Sequence, residues 1–161
     1  MPFKILVVSR GRDTDIVFEG AINEESQLPG FSEVPGKIFV DLAGVTMINS
    51  LGCRKWGHWL KESVKAGEGI HLIRCSPIMV HQINILAGFL PEGARVESFQ
   101  VPYHCEACDF EERALFSRGR DFGIQESIDV QEQKPCPKCG GDMTLDVVAD
   151  HYFKFLKRRA A

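Results

Sequence analysis

The sequence predicts an α/β fold, a mixed sheet with helices packed on it, followed by a second, smaller, β-rich part that ends in a short helix. Three observations predict it. Short apolar runs alternate with helical periods through residues 1–102. Residues 103–161 are more polar, and their apolar runs are short. Cys105, Cys108, Cys136 and Cys139 form two C-x-x-C pairs, with the 27 residues 109–135 between them.

Each element has its own signal. Phe3–Ser9 and Asp15–Glu19 are β-type runs joined by the turn-prone Gly11–Asp13. Lys37–Leu42 reads as a buried central strand, from which the segment Val40–Cys53 leads into the first helix. That helix is Ser50–Ala66. Cys53, Trp56, Leu60 and Val64 recur at spacings of 3, 4 and 4 with Trp59 alongside, while Arg54, Lys55, His58, Lys61, Glu62 and Lys65 take the other face. Gly69–Arg74 is the next strand. Pro77–Ala87 is a second helix, with Pro77 suited to its first turn and Gly88 to its end. Arg95–Val101 is a last strand. A boundary falls near Pro102, dividing the chain into 1–102 and 103–161, and without a Gly/Ser linker the two parts should pack together.

Composition narrows the functions. The 161 residues carry 19 basic and 22 acidic side chains, a net charge of −3, shared as −1 before Pro102 and −2 after. That balance argues against a basic, non-specific nucleic-acid binder. The longest stretch free of Asp, Glu, Lys and Arg is Cys75–Pro91. It falls short of the ~20 apolar residues a membrane span needs. The N-terminus lacks a signal-peptide pattern, so the expectation is a cytoplasmic chain whose cysteines are thiols or metal ligands.

The two cysteine pairs are the strongest chemical signal. Each C-x-x-C can form a knuckle that turns both thiolates toward one ion, and two knuckles complete a tetrahedral four-sulfur site. Gly140 and Gly141 supply backbone freedom after the second pair. The module resembles a zinc ribbon with rubredoxin-type knuckles. Zinc is expected, and iron is favoured less. Two redox dithiols are a weaker alternative, since neither pair opens a βαβ unit. His104 adjoins Cys105 and is a competing ligand. Arg113–Phe116, Ile124–Val130 and Met143–Ala149 are the candidate ribbon strands. His151–Arg159 reads as a helix with Tyr152, Phe153, Phe155 and Leu156 as docking residues and a basic patch at Lys154, Lys157, Arg158 and Arg159.

In the first part, Ser50 stands where a helix N-cap is wanted, and a phosphate there would meet the positive end of the helix. Phe18–Ser26 (FEGAINEES), Lys37–Gly52 (KIFVDLAGVTMINSLG) and Ile83–Leu90 (INILAGFL) resemble the motifs of the STAS domain, the fold of anti-sigma factor antagonists. Ile48–Leu60 and Val101–Cys108 further resemble a group of bacterial proteins that join a STAS domain to a zinc ribbon. In the family, an anti-sigma kinase phosphorylates the serine of D-S-x-G; the unphosphorylated domain binds the kinase and phosphorylation releases it. The resemblance puts that role on Ser50. Asn49 replaces the usual Asp, which removes a negative charge beside the serine.

No catalytic constellation is legible, and the chain reads as non-enzymatic. Asp41 is expected to order a loop, and Cys53 to pack under the helix rather than act as a nucleophile. Trp56 and Trp59 are core anchors, with Trp59 half exposed. His58 is solvated, and His71 and His81 lack evident partners. The expected function is a regulatory interaction module that binds a protein, an anti-sigma-type kinase or another regulator, through Asn49, Ser50, Leu51, Gly52 and Lys55. A homodimer is left open; a membrane partner is not expected. Two alternatives remain: a nucleic-acid-associated regulator using the ribbon and basic tail, and a rubredoxin-like iron redox protein.

Overall fold

The computed structural model describes residues 2–29, 36–66, 69–123 and 130–159. Its first sheet has the order β1-β2-β3-β4-β5: β1 (Lys4–Arg10), β2 (Asp13–Ile22), β3 (Ile38–Ile48), β4 (Ile70–Ile73) and β5 (Ala94–Val96). β1 and β2 form an antiparallel hairpin around Gly11, whose φ of 62° lies in the left-handed region that favours glycine. The remaining pairs, β2–β3, β3–β4 and β4–β5, are parallel. Parallel neighbours require crossovers. Helices α1 (Ser50–Ala66) and α2 (Pro77–Ile85) provide those from β3 to β4 and from β4 to β5. The chain is therefore α/β with a mixed sheet and packed helices, as its alternating pattern predicts.

The central strand is longer than Lys37–Leu42. Gly44–Ile48 continues it, pairing with Glu19–Ile22 after register shifts at Val17/Glu19 and Gly20/Ala21. Those irregularities break the period-2 alternation in the sequence, so a strand reads as a loop. Ile16, Phe18, Val40 and Leu72 form the buried face, and Trp56 meets Phe18 edge-on at 5.7 Å. Trp56 also stacks on Phe89, just beyond α2, at 5.8 Å. Trp59 is only 3% exposed, not half exposed, because its Nε1 donates to Pro29 O at 2.9 Å.

Arg95–Val101 is two strands, not one. The chain leaves the first sheet at Glu97, and β6 (Ser98–Cys105) opens a second, antiparallel sheet. Its order is β7-β6-β9-β8, with β7 Glu111–Ser117, β8 Gln133–Pro135 and β9 Asp142–Leu145. Pro102, the expected boundary, lies inside β6 opposite Arg113. The handover is pinned from both sides: Glu97 N–H donates to Leu72 O and Arg118 N–H to Glu97 O, each at 2.8 Å.

Of the expected ribbon strands, Arg113–Phe116 lies within β7. Met143–Ala149 shrinks to β9, since Ala149 already begins a helix. Ile124–Asp129 lies outside the described residues. The tail is two short helices, α3 (Ala149–Tyr152) and α4 (Lys154–Arg159), rather than one. Its docking residues behave as expected: Tyr152, Phe153 and Phe155 are buried and Leu156 partly so. They surround Phe99, whose ring lies 5.2–6.3 Å from those of Phe116, Phe122, Tyr152, Phe153 and Phe155. One apolar core thus runs through both sheets.

Candidate functional sites: a four-cysteine cluster and the start of α1

The two C-x-x-C knuckles fold alike, hydrogen bond for hydrogen bond. Cys105 N–H donates to Phe110 O at 2.9 Å and Cys136 N–H to Gly141 O at 2.6 Å, each five residues on. Asp109 N–H returns to Cys105 O at 2.7 Å, and Gly140 N–H to Cys136 O at 2.9 Å. The residue after each second cysteine is left-handed, Asp109 at φ 64° and Gly140 at φ 77°. This turn sends both sulfurs of a pair to one side. Met143 of β9 lies opposite Cys105 of β6 on one side and Lys134 of β8 on the other, which brings the knuckles together.

The four Sγ atoms lie within 4.8 Å of one another. Cys105–Cys139 and Cys108–Cys136 are separated by 3.6 and 3.7 Å. A tetrahedron with metal–sulfur bonds of ~2.3 Å has edges of about 3.8 Å, so the cluster can hold a metal ion in the predicted four-sulfur geometry. Amide N–H groups support two of the sulfurs, Lys138 to Cys136 and Gly141 to Cys139, both at 3.4 Å. Burial pushes the Cys136 thiol up, but the Cys139 and Lys138 amides and the Cys108 and Cys105 thiols outweigh it, bringing it down to about 7. His104 is not a competing ligand. Its Nε2 is 2.7 Å from Asp109 Oδ1.

The start of α1 differs from expectation in one respect. Asn49, not Ser50, is the N-cap. Its Oδ1 accepts from Gly52 N at 2.7 Å and its carbonyl accepts from Cys53 N at 2.8 Å. Ser50 is the first helical residue, with an exposed side chain. The physical reason is register: both residue types cap well, and the chain turns helical one residue earlier than the serine reading requires. Asn49 also donates from Nδ2 to Glu24 Oε2 at 2.8 Å. The negative charge that Asn49 lacks therefore stands beside it on Glu24. The Asn49 amide, with the backbone and Lys55, holds that carboxyl below its usual range.

The expected partner residues separate by exposure. Asn49, Ser50, Leu51 and Lys55 are exposed, whereas Gly52 is buried. A Cβ on Gly52 would lie 2.1 Å from Ile22 O, so this glycine lets α1 approach β2 and shapes the surface from beneath. Lys55 Nζ donates to Glu24 O and Ser26 O, clamping the 23–26 loop against the helix. A shallow groove of about 330 Å³, lined by Met47, Ile48, Pro77, Ile78, His81 and Gln82, opens beside this corner. The sequence does not signal the groove or Glu24, because each joins segments far apart in the chain.

The other candidates resolve plainly. Asp41 Oδ1 accepts from Ala43 N at 3.0 Å, the loop-ordering role expected, and its Oδ2 pairs with Arg74. Burial raises the Cys53 thiol, which fits packing rather than reactivity. His71 does have a partner: Nδ1 lies 2.9 Å from Glu97 Oε1, and the ring stacks on Phe39. No helix among the described residues is long and apolar enough to cross a membrane. No family model matches the chain, and neither a curated protein nor a solved structure matches it.

Proposed function

We propose that the chain is a non-enzymatic regulatory module of the STAS type, bound to a protein partner through the corner built by Asn49, Ser50, Leu51 and Lys55. The observation that carries the reading is the placement of Ser50. Its hydroxyl is exposed on the first turn of α1, on a platform held by the Asn49 cap and the Lys55 clamp. Pre-organised side chains of this kind lose little entropy on binding. The adjoining surface supports a particular partner chemistry. Leu51, Met47 and the groove offer an apolar seat. Arg54 and Lys61 on the exposed face of α1 have no ion-pair partner among the described residues. A partner segment that brings an apolar side chain and then carboxylates fits both.

The metal in this reading is zinc, and its role is structural. β8 and β9, which carry the second knuckle, have only three and four residues, and a four-thiolate zinc contributes folding energy directly. Phosphorylation of Ser50 would be tolerated by the fold, since a dianion gains from the helix N-terminus. It would oppose an acidic partner by like-charge repulsion.

The test uses the full, metal-loaded chain as bait in native cell extract, as wild type, Ser50→Ala and Ser50→Asp, with bound proteins quantified by mass spectrometry. The reading expects at least one protein retained by wild type and Ser50→Ala and lost from Ser50→Asp. Identical profiles for the three baits would overturn it.

A further inference from the structure

The two knuckles match residue by residue, and the match isolates one difference. Cys105 and Cys136 hold the same place in the turn, as do Phe110 and Gly141. His104 therefore corresponds to Pro135, and Asp109 to Gly140. In the second knuckle neither place has a side chain that can hydrogen-bond. In the first, His104 Nε2 lies 2.7 Å from Asp109 Oδ1, so the residue before the first cysteine is tied to the residue after the second. Asp109 also takes at φ 64° the left-handed conformation that Gly140 adopts at 77° without a Cβ to strain it. Such a conformation costs energy for a non-glycine residue and persists where its surroundings hold it. The hairpins behind the knuckles differ in the same direction. The first knuckle closes β6–β7, paired without a break from Ser98↔Ser117 to His104↔Glu111. The second closes β8–β9, paired only from Gln133↔Thr144 to Pro135↔Asp142.

We propose that His104 and Asp109 are positioning residues for the metal: their hydrogen bond holds the first knuckle in its metal-receiving shape before the ion arrives, and the second knuckle folds onto the ion. The inference rests on the structural zinc proposed above. Neither residue is one of the four ligands. Their bond fixes the two ends of the turn that carries Cys105 and Cys108. A turn ordered in advance loses little entropy when it binds, so the bond is felt as metal affinity. In the second knuckle the ordering of Cys136 and Cys139 falls on the binding step itself. The Asp109 side chain is 90% exposed, so the bond competes with water and its effect is modest.

Zinc affinity of the full chain, read by competition with a coloured chelator at fixed pH, tests this. Asp109→Gly gives the turn the residue its φ favours and removes the bond. It should nevertheless weaken zinc binding about threefold to tenfold. His104→Leu should weaken it as much, and the double variant no more than either single one, because both remove the same bond. Asp109→Asn keeps an oxygen that accepts from Nε2 and should retain wild-type affinity, which separates the hydrogen bond from the loss of a charge. In the metal-stripped, reduced chain, the amides of Cys105 and Asp109 should exchange with deuterium about threefold or more slower than those of Cys136 and Gly140, relative to their intrinsic rates. An Asp109→Gly chain that binds as tightly as wild type, additive losses, an Asp109→Asn chain as weak as Asp109→Gly, or four amides that exchange alike overturns the proposal and leaves the zinc reading standing. A wild-type chain that binds no zinc sinks that reading, and this proposal with it.

Discussion

The side chain of Asn84 in α2 holds the C-terminal turn at two points: Nδ2 donates to Tyr152 O and Oδ1 accepts from Phe155 N, both at 2.8 Å. The three groups are buried, so neither backbone group has water to replace the amide. Asn84→Leu keeps the volume and removes both bonds. It should destabilise the protein by about 3 kcal/mol, the cost of stranding two buried polar groups. Urea unfolding checks the magnitude. Limited proteolysis should find the chain beyond Val148 opened first, because Asn84 is what fastens it. A loss below ~0.5 kcal/mol would show that the aromatic cluster around Phe99 holds the tail without help.

The cysteine cluster should bind about one zinc per chain. Metal analysis of reduced, freshly purified protein measures it. Cobalt substitution should give the absorption of a tetrahedral four-thiolate site. Cys136→Ser should release the ion, and the loss should be felt beyond the knuckles. β6 carries Cys105 at one end and Phe99, the centre of the shared core, at the other. Acid should also release the metal, since protons compete for thiolates. A freshly purified chain without stoichiometric metal, or with iron and its colour, would contradict the zinc reading.

The cap of α1 can be assigned by two alanines. Asn49→Ala removes the acceptor for Gly52 N and should cost about 1 kcal/mol. Ser50→Ala changes an exposed first-turn residue and should stay within ~0.5 kcal/mol. Thermal melts of the two variants distinguish the assignments, because a serine cap would reverse the ranking.

How much of this was legible in the residues depended on whether the cause was local. Ser50–Ala66 was legible to both ends, because an amphipathic period and a capping pair are local signals. The cysteine cluster was legible because spacing alone defines it. The end of β3 was not: Gly44 and the Thr46–Met47 pair, both exposed, interrupt the alternation where the sheet bulges. The break at Glu97 was not either. No proline or glycine marks it, and the carboxylate is held there by the neighbouring Arg95 and by His71 and Arg118 from two distant places in the chain.

Two glycines of α1 should respond to alanine in opposite directions. A Cβ at Gly57 meets nothing within 4 Å, so Gly57→Ala gains helix propensity and should stabilise by about 0.8 kcal/mol. A Cβ at Gly52 would lie 2.1 Å from Ile22 O, a backbone atom that cannot step aside. Gly52→Ala should push α1 away from β2 and cost about 3 kcal/mol. Denaturant midpoints separate the pair.

The last prediction concerns Asn49, where the segment Lys37–Gly52 differs from the STAS motif it resembles. Glu24 gives the departure a physical cause. With Asn49, an amide N–H meets the Glu24 carboxylate at 2.8 Å and helps hold its pKa below the usual range. With Asp in that place, two carboxylates would face each other. Asn49→Asp should keep the cap, since Asp Oδ still accepts from Gly52 N, but should raise the Glu24 pKa to or above its ordinary value. The sign of the stability change follows. In the wild type the Glu24 contribution is present above the ordinary carboxylate pKa and is lost as pH falls through the lowered one. In Asn49→Asp the repulsion is fully present at neutral pH and disappears as either carboxyl takes a proton. The variant's deficit should therefore be largest near pH 7 and shrink below pH ~4. Carboxyl-carbon NMR titration of Glu24, with urea melts across the same pH range, reads both effects. An unchanged Glu24 pKa in Asn49→Asp would mean that Lys55 and the loop backbone hold the carboxylate down, and that the asparagine answers to something else.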